Sequence, residues 1–105
     1  MDYNAQKKWG HRVSRLAKMT AVPWEVAALV GDIESDAEAI GILEHIKSSR
    51  KNVTDIHRAN FVLNDQSLRD AALEEILGTE IFSKLSGKKS KKMICLVKYL
   101  CLTVR

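Results

Sequence analysis

Met93-Ile94-Cys95-Leu96-Val97-Lys98-Tyr99-Leu100-Cys101-Leu102-Thr103-Val104 is apolar apart from Lys98 and Thr103, and whether it forms a helix or a strand decides the fold class. Its Cys, Val and Tyr content would suit a buried strand. Lys91, Lys98 and Arg105, however, recur at intervals of seven, which places all three on one side of a helix. A lone strand would also lack a partner elsewhere in the chain and leave backbone groups unpaired. The segment is therefore predicted as a helix and the protein as all-α. Met93, Ile94, Leu96, Val97, Leu100, Cys101, Leu102 and Val104 surround that helix's axis almost completely. Such a helix must be buried in its own fold or covered by something else.

Upstream, Ser86-Gly87-Lys88-Lys89-Ser90-Lys91-Lys92 reads as a basic linker over 86–92. Before it, Leu68, Ala71, Ala72, Ile76 and Leu77 have helical period, with Asn64 or Asp65 as cap. Gly78 is expected to stop that helix and Thr79 to cap a further one or two turns over Glu80–Leu85. Thr54 can cap a helix reaching Val62, and 48–52 reads as a loop. Ser35 with Glu38 three residues on is a capping-box pattern, opening a helix through Ala37, Ile40, Leu43 and Ile46 to about Lys47. Pro23 suits the first position of a short helix ending at Gly31, a residue able to take a left-handed stop. Residues 3–19 place Ala5, Trp9, Val13, Leu16 and Ala17 on one stripe, with Lys7, Lys8, His11, Arg12, Arg15 and Lys18 elsewhere.

The result is one compact all-α domain over 1–105, built from about five to six short helices. Its expected core is Trp9, Val13, Leu16, Trp24, Leu29, Ile40, Leu43, Ile56, Phe61, Leu73, Ile76, Phe82, Leu96 and Leu100. A chain of 105 residues with 46% apolar positions leaves little room for a second domain. One Pro, five Gly and a charged fraction of 29% exclude collagen-like and low-complexity classes. No internal repeat is present, and no residue pattern singles out a family.

Cys95 and Cys101 lie in an apolar run without CxxC spacing or a nearby His, so neither a disulfide framework nor a zinc site is expected. No secretory leader and no bilayer-spanning stretch is legible, and a cytoplasmic protein is expected. The segments GxSxG, HExxH, GxxxxGK[ST] and GxGxxG do not occur, which argues against an enzyme and against a bound cofactor. His11, His45 and His57 show no ligand spacing, and the adjacent Glu74-Glu75 point about 100 degrees apart on a helix, so they form no facing dyad.

Charge is the most informative feature. The 17 Lys and Arg exceed the 13 Asp and Glu by four, too mild a balance to imply a polyanion by itself. Its distribution is segregated: the blocks 1–19, 20–47, 48–58, 59–83 and 84–105 carry +4, −5, +2, −4 and +7. Lys88, Lys89, Lys91 and Lys92 fall within five positions without an intervening acid, a run that repels itself unless solvated or met by an external anion. The expected function is accordingly nucleic-acid binding through backbone phosphates by Lys7, Lys8, Arg12, Arg15, Lys18, Lys84, Lys88, Lys89, Lys91 and Lys92. Sequence-specific readout is disfavoured. Residues 24–45 imitate a helix-turn-helix in spacing, but Asp36, Glu38 and Glu44 would face phosphates, and 68–85 fits that spacing less well. The other expectation is a protein-binding adaptor or inhibitor, or a homodimer, acting through the acidic helices 24–47 and 64–82 or the apolar last helix. Membrane attachment is not expected, because the last helix lacks the polar face of an interfacial one.

Overall fold

Five consecutive residues, Val26 to Val30, have no solvent exposure, and the other helices are arranged around them. The structure is a computed structural model that describes residues 3–86 and 92–102. Seven helices follow in order: α1 (Tyr3–Thr20), α2 (Trp24–Ala27), α3 (Asp36–Ser48), α4 (Asp55–Val62), α5 (Gln66–Leu77), α6 (Thr79–Lys84) and α7 (Lys92–Leu100). Two 3-10 turns, Ala28–Val30 and Ser49–Asn52, extend α2 and α3. The described residues contain no strand, so the fold is all-α; the last apolar segment is helical from Met93 to Leu100, Cys101 and Leu102 leave the helix, and the expected extension to Thr103 and Val104 lies outside the described residues. Seven helices slightly exceed the expected number. The radius of gyration, 13.7 Å, matches the roughly 13 Å of a compact chain of this size.

Why α2 is central follows from its composition. Val26, Ala27, Ala28, Leu29 and Val30 present apolar surface all round the axis, which is tolerated only when every side is covered. Helix α1 covers one side and α7 another. Val13 and Leu16 of α1, and Met93, Leu96 and Leu100 of α7, are buried in the same cluster, with Ile42, Leu43 and Ile46 of α3 and Leu73, Ile76 and Leu77 of α5 completing it. Each fully buried Leu or Ile there is worth about 1.5–3 kcal/mol. The chain after α6 is tied to this centre by Ser86, whose N–H and hydroxyl both donate to the Leu29 carbonyl at 2.9 Å. Thus α7's apolar surface is covered largely by its own fold, although Ile94 and Leu102 remain exposed.

Helix boundaries follow local chemistry. Ser35 Oγ accepts from the Glu38 N–H at 3.2 Å, and Asp65, not Asn64, caps α5 by accepting from Ser67 and Leu68. Asn64 instead takes a left-handed φ of 55°. Thr54 caps α4 in a capping box whose third helical residue is His57: Thr54 Oγ1 accepts from the His57 N–H, and His57 Nδ1 accepts from the Thr54 N–H at 3.0 Å. Gly78, at φ 92°, ends α5 as expected.

Several expectations are corrected. Gly31 is right-handed, with φ −63°, and its role is close packing instead of a left-handed stop. Gly78 itself, not Thr79, occupies the cap position of α6. Residues 49–52 are a 3-10 turn and not an open loop, because the buried Ser49 hydroxyl donates to the His45 carbonyl at 2.7 Å and tightens the chain. The Glu38 carboxylate does not close a capping box, since Lys84 takes it. Trp24 is 40% exposed and Ile56 74% exposed, so neither belongs to the core; α4 buries His57 and turns Ile56 outward. Trp9, Ile40 and Phe61 are partly buried against the core.

Candidate nucleic-acid interface

Of the ten cations expected to meet phosphate, three are held by the chain's own carboxylates. Arg12 places Nε and Nη2 at 3.0 and 2.9 Å from Asp36 Oδ1, and its Nη1 donates to the Gly31 carbonyl at 2.8 Å. Arg15 Nη2 reaches the other oxygen of Asp36 at 3.2 Å. Lys84 Nζ lies 2.8 Å from Glu38 Oε1 and 3.7 Å from Glu80 Oε1. The bond and charge of Glu38 raise the Lys84 ammonium above the ordinary lysine value. Arg12 and Arg15 of α1 and Lys84 of α6 therefore meet on the acidic first turn of α3. Lys7, Lys8 and Lys18 are exposed and form no ion pair among the described residues. Lys88, Lys89 and Lys91, and the linker around them, lie outside the described residues, as does the side chain of Lys92.

A different group of cations converges instead. Lys47, Ser48, Arg50, Lys51, Val53, Arg58 and Leu102 line one cleft of about 490 Å³, and among the described residues no carboxylate side chain is part of its wall. The local fold accounts for this convergence. The last turn of α3 delivers Lys47, the 3-10 turn delivers Arg50 and Lys51, buried Val53 pins the exit strand of chain, and the Thr54 cap starts α4 so that Arg58 returns to the same cleft.

Two of these cations rest on neutral groups. Lys47 Nζ donates to the Thr20 carbonyl at 3.1 Å, at the end of α1. The Arg50 guanidinium sits 4.8 Å above the Tyr99 ring centroid and donates to the Leu102 carbonyl at 3.4 Å. Arg50 Nε is buried without a hydrogen-bond partner. Among the described residues, only Arg58 has a carboxylate, Asp55 at 3.1 Å, in an exposed pair one turn away. Carbonyls and rings orient a cation without cancelling its charge, so the cleft keeps a positive potential. Burial pushes the Cys101 thiol up, with the Arg58 charge only partly offsetting it, so the thiol is neutral at ordinary pH.

The signal for this cleft lay in the +2 block 48–58, together with Lys47 at the end of the acidic block before it. It was hidden because the four cations are spread over twelve positions, whereas 88–92 is a visible run. The helix-turn-helix candidate over 24–45 gains no free basic face: Asp36 and Glu38 at the start of α3 are occupied by Arg12, Arg15 and Lys84. Among the described residues, no three His, Cys, Asp or Glu side chains gather to hold a metal ion, and no helix is long and apolar enough to cross a membrane. No family model matches the sequence, and no curated protein or solved structure matches it either, so function is read from geometry.

Proposed function

We propose that this chain is a small accessory protein that binds nucleic acid through backbone phosphates, with the cleft between α3 and α4 as its main contact. The observation that carries this reading is the convergence of Lys47, Arg50, Lys51 and Arg58 on one wall-lined space without a facing carboxylate. Four cations held close together repel one another, and a phosphodiester relieves that repulsion while releasing counterions from the polymer. Contacts of this kind carry no base preference. Lys7, Lys8, Lys18 and the run Lys88, Lys89, Lys91 and Lys92 would add further phosphate contacts.

The test is fluorescence anisotropy of labelled single- and double-stranded oligonucleotides over a range of salt. Four duplex phosphate contacts give a slope of log affinity on log salt near −3.6, at roughly −0.9 per contact. Lys51→Glu with Arg58→Glu, two exposed positions, is expected to weaken binding at least about tenfold while leaving the melting temperature nearly unchanged. A flat salt response, or full affinity in the double variant, overturns the reading.

A second reading, a homodimer, rests on α4, which buries His57 while Ile56 and Val62 are 74% and 81% exposed. Exposed apolar side chains gain by burial against a second copy of the chain. Sedimentation over a wide concentration range decides it. A dimer that Val62→Glu dissolves supports this reading, and a monomer throughout removes it.

A further inference from the structure

Both tryptophans of the chain stand at one corner of the molecule. Trp9 of α1 and Trp24 of α2 have ring centroids 5.8 Å apart and planes at 80°. With Gln6, Gly10 and Asp32 they line a cleft of about 540 Å³. Each indole N–H is engaged inside the protein: Trp9 Nε1 donates to Asp32 Oδ1 at 3.0 Å and Trp24 Nε1 to Ser14 Oγ at 3.1 Å. Gly31 lies so close beneath Trp9 that a Cβ there would come within 2.8 Å of the ring. The two rings are thus fixed in orientation, while Trp24 remains 40% exposed.

We infer that this corner binds an alkylated ammonium group, a trimethylammonium being the best fit. Perpendicular indoles offer negative π-faces, and tryptophan is the strongest of the aromatic side chains in attracting a cation. Asp32 adds a full negative charge and forms no ion pair among the described residues. A plain ammonium is strongly hydrated and needs several acceptors, whereas methyl groups spread the charge and contact ring carbon without losing hydrogen bonds. A stacked nucleobase fits less well, since its phosphates would approach Asp32, with Glu34 following in the chain and Glu25 beside Trp24. The site is therefore independent of the polyanion cleft.

A trimethylammonium group occurs on methylated lysine and on choline headgroups, and the experiment separates the two. Because Trp9 and Trp24 are the only tryptophans, intrinsic fluorescence reports on this corner alone. The full chain is titrated with a short trimethyl-lysine peptide, with phosphocholine, with choline, and with 3,3-dimethylbutan-1-ol, choline's uncharged isostere. Saturable quenching by the cations is expected at millimolar or lower concentration, with the isostere about tenfold weaker. Tighter binding of the peptide names methyl-lysine as the source, and tighter binding of phosphocholine names the headgroup; either supports the assignment. Asp32→Asn keeps an oxygen for the Trp9 N–H and removes the charge, and is expected to weaken cation binding about fivefold or more without altering the isostere. Equal affinity for choline and its isostere, an unaltered cation affinity in Asp32→Asn, or no saturable change with any cation overturns the inference.

Discussion

Gly31 lies flat against the indole of Trp9: a Cβ built on Gly31 would fall 2.8 Å from both Cε2 and Nε1 of that ring. The contact holds the start of α1 against the end of α2 and fixes Asp32 for its bond to the Trp9 N–H. Gly31→Ala is therefore expected to cost about 1–3 kcal/mol through overpacking, although its φ of −63° suits alanine. Thermal or urea unfolding measures it. If Gly31→Ala is as costly in a Trp9→Leu background as in the wild type, the ring is not the cause.

Ala21 ends α1 at φ 57°, a left-handed position that glycine ordinarily fills, with the Val22 N–H closing back onto the Ala17 carbonyl at 3.2 Å. A left-handed Cβ costs about 1–2 kcal/mol. The extra chain entropy of glycine offsets about 0.5–1 of it. Ala21→Gly is accordingly expected to stabilise by roughly 0.5 kcal/mol. A fall in melting temperature would contradict this account of the turn.

Asp36 holds two of the cations expected to meet phosphate. Its replacement by Asn is predicted to cost about 1 kcal/mol or more, because the Arg12 side chain is only 19% exposed, while freeing the exposed Arg15. Oligonucleotide affinity at low salt should rise about threefold or more, and the salt slope should steepen. An unchanged slope would mean that α1 does not face the bound polymer.

The raised Lys84 ammonium gives a pH dependence with a definite sign. The folded value lies above the ordinary 10.5, so the Glu38 pairing contributes fully below 10.5 and is lost as pH rises through the folded value. The gap in melting temperature between wild type and Lys84→Met should stay constant from neutral pH to that point and then close. A gap that closes below it would show that another group governs the contact.

His57 is buried and completes the Thr54 cap with its own ring nitrogen, its Nε2 lying 3.5 Å from Glu75. His57→Ala should cost about 1–2 kcal/mol, because the Thr54 N–H loses its acceptor. His57→Gln, the usual residue of a capping box, is expected to recover most of that loss. Equal melting temperatures for the two variants would assign the cost to packing instead.

The two ends of the charge pattern show why legibility was uneven. Thr54, Asp65 and Gly78 act within one turn of themselves, so their positions could be read from neighbours in the chain. Ile56 and Trp24 matched helical periodicity equally well, yet which side of a two-turn helix faces inward depends on the element it meets. Helix α4 meets α5 and turns His57 toward it, leaving Ile56 in solvent. Arg12, Arg15 and Lys84 looked like free cations, because the carboxylates that bond them lie 21 to 46 positions away, Glu80 being only a looser neighbour of Lys84 at 3.7 Å.

Hydrophobic period and caps were enough to determine an all-α chain and nearly all its helix boundaries, since each depends on interactions within about four residues. Tertiary structure alone decided which charges are neutralised and which converge. Ion pairs and clefts depend on distance in space, and the packing of α1, α3 and α7 around the buried segment Val26 to Val30 is what brings Trp9 to Gly31 and Leu102 to the end of α3.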